Sequence, residues 1–402
     1  MSLTSNQAPT ANSLYFAGDY LLVDFSSDQT GQTGFRYQLT VDMNGTEVFK
    51  TYVRPNASGR LVADLSDIVQ NNLDPVLEAA DGSSVWDRWD TACPSMGAKV
   101  QVGVQEYYTA SVQGSETTVD FFVVAGYGQQ SEGIVTNRHL FAPEINTAAG
   151  FLSVRALHEA ADFSVSVPEN HPYPVVIPMQ DFTGDDLNRF SYTGGSITVT
   201  TLTSMPDADA AFTDGSFVYV LDYGPASWGA SRWNISGASS TFYGRIASPS
   251  DVRTLKVTIN QIGEHEQRSP YVSVYWLNEL GGLDYLLFDG RLKTTSDVEH
   301  EQRQGIVGGF DASAKVDKYR HNLISFSREV TTEIEVTKTH LTDIEVRLAA
   351  SLQRSRAAWM KTKGEGVKPV MINSVDFDNN VQRTSKLRPC TLSMTLALEE
   401  RC

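Results

Sequence analysis

Hydrophobic and polar residues alternate most regularly in the last quarter of the chain. From Val330 to Thr337, one set of alternate positions is mainly valine and isoleucine, and the other is threonine and glutamate. This period of two residues predicts a half-buried strand. A second alternating run predicts a core strand near the C-terminus, whose buried face carries Leu392, Met394, Leu396 and Leu398.

Between these two runs the pattern predicts a helix and one more strand. Thr342-Asp343-Ile344-Glu345 has the form of a capping box, in which the threonine oxygen and the glutamate carboxylate each accept a backbone N–H of the first turn. We expect the helix to end at Lys363-Gly364-Glu365-Gly366, since glycine suits a helix terminus. A strand over residues 369–377 follows. The apolar stripe of the helix carries Ile344, Leu348, Leu352 and Trp359.

The N-terminal third shows short strand patterns at even spacing. Asn44-Gly45 stands between two of them and is a strong signal for a hairpin turn. Residues 64–73 read as a short capped helix that crosses the end of a sandwich. Even spacing with turn residues between strands is typical of fibronectin- or immunoglobulin-like sandwiches. Residues 1–13 form a polar arm that is either loose or laid on a neighbour.

The middle of the chain is less regular and richer in proline. We interpret residues 126–190 as a connecting or inserted segment with a few strands of its own. A second sandwich is expected over 191–303. It includes a hairpin of Tyr271–Leu277 and Asp284–Phe288 around the turn Asn278-Glu-Leu-Gly-Gly282.

A short repeat flanks this hairpin. Glu264-His-Glu-Gln-Arg268 recurs as Glu299-His-Glu-Gln-Arg303, and the two copies are interpreted as polar turns or as coincidence. The complete pattern predicts a mainly β protein: two immunoglobulin- or fibronectin-like β-sandwiches, then an α+β module of strands and one helix. The expected division is a polar arm (1–13), a sandwich (14–125), a connecting segment (126–190), a second sandwich (191–303) and an oligomerisation module (304–402).

Composition excludes some classes of function. A chain of 402 residues is expected to form about two to four domains. Its net charge of −16 argues against wrapping or sequence-specific reading of nucleic acid, which needs clustered Lys and Arg. No disulfide or zinc motif is expected from the three cysteines, and no signal peptide or membrane insertion from the hydropathy. The cysteines are Cys93, Cys390 and Cys402.

Three segments begin like binding loops but depart from the motif at a required position. Gly126-Tyr-Gly-Gln-Gln-Ser131 follows a strand, as a dinucleotide fingerprint does, but serine replaces the third glycine. Asp376-Phe-Asp378-Asn-Asn380 opens like a calcium loop, but Val381 stands where the loop needs glycine. The third segment carries Asp207, Asp209 and Asp214, whose spacing does not match a calcium loop either. We interpret the three segments as loops or acidic turns. Binding of a cation by oxygen ligands that come together in three dimensions stays an open alternative.

The histidines and tryptophans leave two further candidates. His265 and His300 each stand between glutamates, so the two repeat copies could meet and bind a transition metal if further ligands were present. Four tryptophans could stack on sugar rings, although anchors in a core or subunit interface are the favoured interpretation. They are Trp86, Trp89, Trp228 and Trp233.

No catalytic motif accompanies these residues. The sequence has neither a Gly-x-Ser-x-Gly elbow nor a cysteine in a recognisable nucleophile context. A glycosidase pair of carboxylates depends on their separation in space, so the sequence cannot nominate one. We therefore assign no catalytic, cofactor-binding or metal-binding residue and predict that the protein is not an enzyme.

Two passages resemble virion proteins of tailed bacteriophages. Tyr271–Phe288, with its Leu277-Asn278, Gly281-Gly282 and Asp284, is similar to a strand–turn–strand pattern common in those proteins. The segments from Phe35 to Val69 look like their first sandwich. The C-terminal order of strand, helix, strand and strand is similar to the tail-tube-like module of tail, baseplate and neck ring proteins.

This resemblance implies a structural component of a bacteriophage virion that forms a homo-oligomeric ring. Its partners would be copies of itself and other tail, neck or baseplate proteins, and it would be made in the bacterial cytoplasm. The open edge of a sheet would be completed by the next subunit. The alternative is a receptor- or glycan-binding tail adhesin, and a tail-associated glycan hydrolase is a third class.

Overall fold

The computed structural model describes residues 3–11, 14–73, 90–92, 96–126, 163–178, 190–193, 196–200, 218–222, 224–225, 239–247, 252–263, 271–304, 323–377, 388–397 and 400–401. Over these ranges the protein is mainly β, as the alternating patterns predict. The described strands form five sheets.

The N-terminal region builds a sandwich from two of these sheets. Its elements are β1 (Thr4–Gln7), β2 (Leu14–Phe16), β3 (Leu22–Ser26), β4 (Arg36–Met43), β5 (Thr46–Val53), β6 (Arg60–Asp64), α1 (Ser66–Asn71), β7 (Asp90–Ala92), β8 (Gly97–Tyr108) and β9 (Ser111–Val124). One sheet has the order β2-β9-β8-β4-β5 and the other β1-β3-β6. Side chains from both sheets enclose one core, with Phe25, Leu39 and Val102 among its members.

Local chemistry explains several features of this sandwich. Asn44 and Gly45 have φ angles of 50° and 78°, which a tight hairpin turn requires and which these two residues tolerate. The Asp64 carboxylate accepts the backbone N–H of Leu21 and of Ser66, and so ties the start of α1 to β3. Part of the predicted polar arm is ordered here, because β1 pairs with β3 of the same chain.

The middle region contributes two sheets. Its strands are β10 (Phe163–Pro168), β11 (Pro174–Pro178), β12 (Phe190–Thr193), β13 (Ser196–Thr200), β14 (Val218–Asp222), β15 (Ser239–Ala247) and β16 (Val252–Ile262). One sheet has the order β10-β16-β15-β13-β12 and the other β11-β14-β7. Strand β7 therefore leaves the N-terminal region and pairs with β14, an exchange that the sequence pattern did not indicate.

The C-terminal region forms an eight-stranded sheet. Its elements are β17 (Val272–Leu277), β18 (Leu283–Phe288), β19 (Leu292–Gln304), β20 (Leu323–Lys338), α2 (Asp343–Leu352), β21 (Ala358–Thr362), β22 (Lys368–Phe377), β23 (Cys390–Leu396) and β24 (Glu400–Arg401). The strand order is β18-β17-β21-β22-β23-β20-β19, and β24 pairs with β20. This sheet crosses the expected boundary at residue 304, since the hairpin β17–β18 pairs with β21.

The sheet curves until its two ends meet. Lys338 Nζ donates to the Leu287 carbonyl at 3.0 Å, and the Gly290 N–H donates to the Thr337 carbonyl at 2.8 Å. Only residues 289–291 separate β18 from β19, so the chain passes from one end of the strand order to the other almost without a break. The enclosed core includes Leu392 and Met394, which are buried as predicted.

Helix α2 begins as predicted and ends earlier. Thr342 Oγ1 accepts the Glu345 N–H at 3.3 Å, and Glu345 Oε2 accepts the Thr342 N–H at 2.8 Å, which confirms the capping box. The expected helical continuation to Gly364 is wrong, because Trp359 lies in β21 opposite Tyr275 of β17. The Ser355 hydroxyl holds the connection by donating to the carbonyls of Leu277 and Ala357.

Two further interpretations change. The second repeat copy, Glu299–Arg303, is not a polar turn: it lies in β19 and pairs with residues 324–329 of β20. The first copy lies outside the described residues. Strand β17 of the hairpin pairs with β21, which was expected to belong to the following module, while β12, β13, β15 and β16 lie in another sheet.

Candidate assembly surface and central junction

The hairpin β17–β18 is held in shape by the asparagine of its turn. Asn278 Oδ1 accepts the N–H groups of Leu280 and Gly282 at 2.9 and 3.0 Å. Its Nδ2 donates to Asp284 Oδ1 at 2.9 Å. Asparagine supplies both an acceptor and a donor at one position, so it closes the turn and orients the following strand together.

The same turn packs against the end of the N-terminal sandwich. Gly281 has a φ of +77°, and a Cβ placed on it would lie 1.2 Å from the carbonyl oxygen of Ala125. A Cβ on Gly126 would lie 2.5 Å from the carbonyl carbon of Leu280. Both positions therefore require glycine, because the two backbones touch with no room for side chains.

A small apolar cluster surrounds this contact and draws on three regions. The sandwich contributes Phe16 and Phe122, the middle region contributes Val176 and Val220, and the hairpin contributes Leu280. We name the turn, the two glycines and this cluster the central junction. It joins the three regions through contacts between residues that are far apart in sequence.

Both faces of the hairpin are covered. On one face, Trp276 Nε1 donates to the hydroxyl of Ser351 in α2 at 3.3 Å. On the other face, the Tyr275 hydroxyl donates to the Pro172 carbonyl at 3.0 Å. Every residue of β17 and β18 is consequently buried, which explains why hydrophobic residues run continuously there rather than alternating.

A buried polar cluster lies between the hairpin and the turn that joins β10 to β11. His171 Nδ1 lies 2.5 Å from Ser273 Oγ, which lies 3.3 Å from the hydroxyl of Tyr285. That tyrosine donates to the Ser166 carbonyl at 3.1 Å. Burial lowers the pKa of His171 to about 4, and the nearby positive charge of Lys361 acts in the same direction. The imidazole is therefore neutral at physiological pH.

A serine beside a neutral histidine resembles a nucleophile and its base. However, Ser273 is 0% exposed and His171 is 3% exposed, so a substrate has no access to either. The pair is separated by 102 residues in sequence, and no motif could have predicted it. We interpret it as a structural link between the middle region and the hairpin.

Asp222 strengthens this link. Its Oδ1 accepts the backbone N–H groups of Tyr173 and Gly224, both at 2.7 Å. Burial raises the pKa of Asp222 to about 6, although the two N–H donors act in the opposite direction. The Asp222 carboxyl group thus holds the β11 and β14 segments together. Because its pKa is about 6, its charge changes at a pH only slightly below neutral.

The surface best suited to assembly is the edge strand β19, which continues beyond the rest of the sheet together with the start of β20. We define the arm as Lys293–Gln304 of β19 and the residues of β20 that pair with it. All six residues from Lys293 to Val298 are exposed, and Val298 is 40% exposed. Within the described part of the chain, β19 pairs with β20 alone, so its outer edge is open. Beyond Glu329, where β24 pairs, the arm has no further described strand beside it.

Most of the residues singled out from the sequence lie outside the described ranges. This applies to 127–131, to His265, to the acidic residues 207–214, to residues 378–381 and to the four tryptophans 86, 89, 228 and 233. His300 lies in β19, where only the backbone is described. Cys390 is buried and its pKa is raised to about 11, so it is not a reactive thiol.

Two negative findings concern the described residues only. They contain no group of three or more His, Cys, Asp or Glu side chains placed to hold a metal ion. No helix among them is long and apolar enough to span a membrane.

Comparison with known proteins gives remote structural likenesses. No family model and no curated protein matches the chain. One similar solved chain is from the tail of an empty gene transfer agent particle with C6 symmetry: 12% identity, 28% of this chain and 80% of that chain covered, TM-score 0.19. Another is from the virion of a native gene transfer agent particle: 11% identity, 32% and 95% covered, TM-score 0.20. Likeness at this level does not define the fold of this chain.

Proposed function

We propose that the chain is a non-enzymatic structural component of a phage-like virion and assembles into a homo-oligomeric ring in the tail, neck or baseplate. The observation that carries this proposal is the exposed arm. The resemblance of Tyr271–Phe288 and of the first sandwich to virion proteins of tailed phages supplies the class of particle. Its partners are then copies of itself and neighbouring virion proteins, and its location is the virion.

The energetics of the arm support self-assembly. Where β19 pairs with residues 323–328 of β20, the described strands form a two-stranded ribbon, which is marginally stable in water, and the outer edge of β19 presents unpaired N–H and C=O groups. The strand Lys293–Val298 is exposed at consecutive positions, so both of its faces meet solvent. Pairing with a second copy would satisfy the edge and cover an exposed valine. If the arm of one copy meets a different surface on the next, the contact is head-to-tail, and it closes into a ring when the rotation between copies closes.

A lysine on the arm tests the proposal. Val298→Lys places a charge at the exposed edge without entering the core, so the fold is retained, while pairing with a neighbouring copy would strip water from the lysine ammonium group. We expect at least a tenfold weaker association, measured by light scattering across a concentration series. The matched control is Val62→Lys on β6, since this valine is also exposed, at 47%. A monomeric wild-type protein, or equal association in both variants, would contradict the assembly role of the arm.

The non-enzymatic part of the proposal has its own assay. Purified protein is incubated with peptidoglycan, capsule and lipopolysaccharide, and no hydrolysis is expected, because Ser273 and His171 are closed to substrate. Reproducible hydrolysis that disappears in Ser273→Ala would show that the buried pair is catalytic, and hydrolysis lost with a single carboxylate would show another site.

A further inference from the structure

A separate surface on the N-terminal sandwich combines exposed aromatic rings with two arginines. It lies on the outer face of the sheet β2-β9-β8-β4-β5. We name it the tyrosine–arginine patch and define it by five side chains: Arg36, Tyr52, Arg54, Tyr107 and Val112.

Strand register places these side chains on one face. Arg36 lies opposite Tyr107, and Tyr107 lies opposite Val112 on the next strand. Tyr37, the neighbour of Arg36, is fully buried in the sandwich core, so Arg36 projects to the outside.

The edge strand β5 adds two more members. Tyr52 lies opposite Gln38, which shares the outer face with Arg36. Arg54 follows Val53, the partner of Tyr37, so extending the register sets it across from Arg36.

The patch offers a continuous aromatic and apolar surface to solvent. The rings of Tyr52 and Tyr107 have centroids 4.8 Å apart and are tilted by 58°. Tyr52 is 44% exposed and Val112 is 40% exposed. The next row on this face carries the amides of Gln38 and Gln105, joined at 3.2 Å. Gln38 is 6% exposed, so the amide pair borders the aromatic rings and the rings themselves form the accessible surface.

The charges of the patch are uncompensated within the described residues. Arg36 and Arg54 are both exposed, and neither has an ion pair or side-chain hydrogen bond there. In contrast to these arginines, two lysines on the same sheet form ion pairs: Lys50 with Glu47 and Lys99 with Asp120, each at 3.6 Å. In a chain of net charge −16, two neighbouring unpaired arginines form a local anion-binding feature.

We propose that the tyrosine–arginine patch binds an oligosaccharide that contains carboxylated sugars. The tyrosine rings stack on the C–H face of a pyranose. The arginine guanidinium groups bind the sugar carboxylate through paired N–H donors. The surface is a flat sheet face with no walls, which suits an extended sugar chain.

The charge of the protein favours a sugar over nucleic acid. A single-stranded nucleic acid carries a phosphate at every nucleotide and binds along continuous basic grooves. The patch provides two arginines, while the whole chain repels a dense polyanion. An oligosaccharide that carries one carboxylate among several neutral rings needs no such groove.

Isothermal titration of the full-length protein with a galacturonic acid hexamer, in which all but one of the carboxylates are methyl esters, tests the proposal. We expect saturable binding that weakens with added salt, and at least tenfold weaker binding of a neutral glucose hexamer. The double variant Arg36→Gln/Arg54→Gln should weaken galacturonate binding at least tenfold, and Tyr52→Ala should do the same. Lys50→Gln on the same face is the matched control and should bind as wild type. Far-UV circular dichroism checks that each variant is folded.

Several results would overturn the proposal. One is no galacturonate binding at concentrations up to about 1 mM. Another is equal affinity in the double variant and the wild type. Tighter binding of an oligothymidylate than of galacturonate would assign the patch to nucleic acid. If Arg36→Gln/Arg54→Gln abolishes self-association and no sugar binds, the patch is a contact between copies. Since the arm variant Val298→Lys leaves the patch intact, failure of ring assembly and failure of sugar binding are distinguished.

Discussion

The N-terminal sandwich and the C-terminal sheet bury their cores in different ways. The sandwich core is drawn from one stretch of chain, with all its buried members between Tyr15 and Val123. The core of the C-terminal sheet takes Val165 and Ile259 from the middle region and reaches Met394 near the C-terminus. The first region is self-contained, whereas the second is completed by strands that belong to other parts of the chain.

This difference has consequences for stability. A core made within one continuous segment can persist when the rest of the chain unfolds. When a core is assembled from distant segments, those segments unfold together, because each one buries the apolar side chains of the others. The central junction lies between the two regions and decides how strongly they are coupled. Three substitutions test this comparison, from the largest expected effect to the smallest.

The largest effect is expected from Met394→Asp. Met394 is fully buried in β23, so the change removes about 1.5–3 kcal/mol of apolar burial and adds an unpaired buried carboxylate at a cost of several kcal/mol more. That total is comparable with the about 5–15 kcal/mol stability of a domain. The C-terminal sheet should unfold while a protease-resistant sandwich fragment ending near Gly126 remains. Limited proteolysis with mass spectrometry identifies the fragment.

The control for Met394→Asp is the neighbouring position on the opposite face. Thr395 pairs with Glu333 and Met371 on the outer, more polar side of the sheet. Thr395→Asp should cost only about 1 kcal/mol, from repulsion by Glu333. Leu396→Asp should lie between the two, since Leu396 is partly buried against the core. Equal proteolysis of all three variants would show that the buried face of β23 is assigned wrongly.

An intermediate effect is expected from Gly281→Ala at the central junction. The added methyl group would overlap the Ala125 carbonyl, so one backbone must move and the contact between sandwich and hairpin opens. Gly364→Ala is the matched control, since its φ is also +77° and nothing lies within 4 Å. The control should cost about 1–2 kcal/mol from the left-handed backbone alone. We expect Gly281→Ala to cost about 2 kcal/mol more, measured by urea denaturation. Equal costs would mean that the two regions are not coupled there.

The smallest effect is a pH dependence that arises at Asp222. Its pKa is about 6 in the folded protein and lies near 3.8 in an unfolded chain. As the pH falls below 6, the folded state takes up this proton before the unfolded state does, so Asp222 contributes stability that is present in acid and lost as the pH rises. Asp222→Asn keeps an oxygen for the Tyr173 and Gly224 donors and removes the titration. At pH 7 the variant should be more stable than the wild type, because it has no buried charge at this position. This difference in the free energy of unfolding should shrink by about 1–2 kcal/mol towards pH 4.

His171 acts with the opposite sign and provides the control. Its pKa is lowered from 6.5 to about 4, so the unfolded chain takes up this proton first as the pH falls from 6.5, and folded-state stability is lost. His171→Gln should therefore gain stability relative to wild type over the range in which Asp222→Asn loses its advantage. Denaturation curves at several pH values measure both. Parallel pH profiles in wild type and both variants would contradict the assignment of the two shifts.

Local signals in the sequence predicted local structure correctly. The capping box at Thr342 and Glu345, the Asn44-Gly45 turn and the alternation that buries Leu392 and Met394 are each encoded by residues within a few positions of one another. Leu398 of the predicted strand lies outside the described residues. The continuation of the helix beyond Leu352 was predicted wrongly because that prediction also used only residues close together in sequence. Trp359 continues the apolar stripe in spacing, but its pairing with β17, more than 80 positions earlier, decides the conformation.

The arrangement of distant segments could not be predicted. The exchange of β7 into the sheet with β14 depends on pairing between Asp90–Ala92 and residues 219–221. The link between His171 and Ser273 and the contact between Gly281 and Ala125 also join residues more than 100 positions apart. Periodicity reports which face of a strand is buried but not which strand lies beside it. An open edge was expected from the resemblance, yet β19 itself was not recognised, because its polar residues lack alternation.

The near-continuity of β18 and β19 also sets how the protein responds to mechanical load. The arm at the surface and the hairpin at the central junction are parts of one extended run from Leu283 to Gln304, up to about 70 Å long. A force that pulls on the arm acts along this run. It loads the backbone hydrogen bonds of β19 to β20 and of β18 to β17 in shear, so that many bonds resist together rather than one after another. The tension ends at the turn held by Asn278, against the N-terminal sandwich. A neighbour that binds the arm would thereby be connected to a hairpin in which every strand residue is buried.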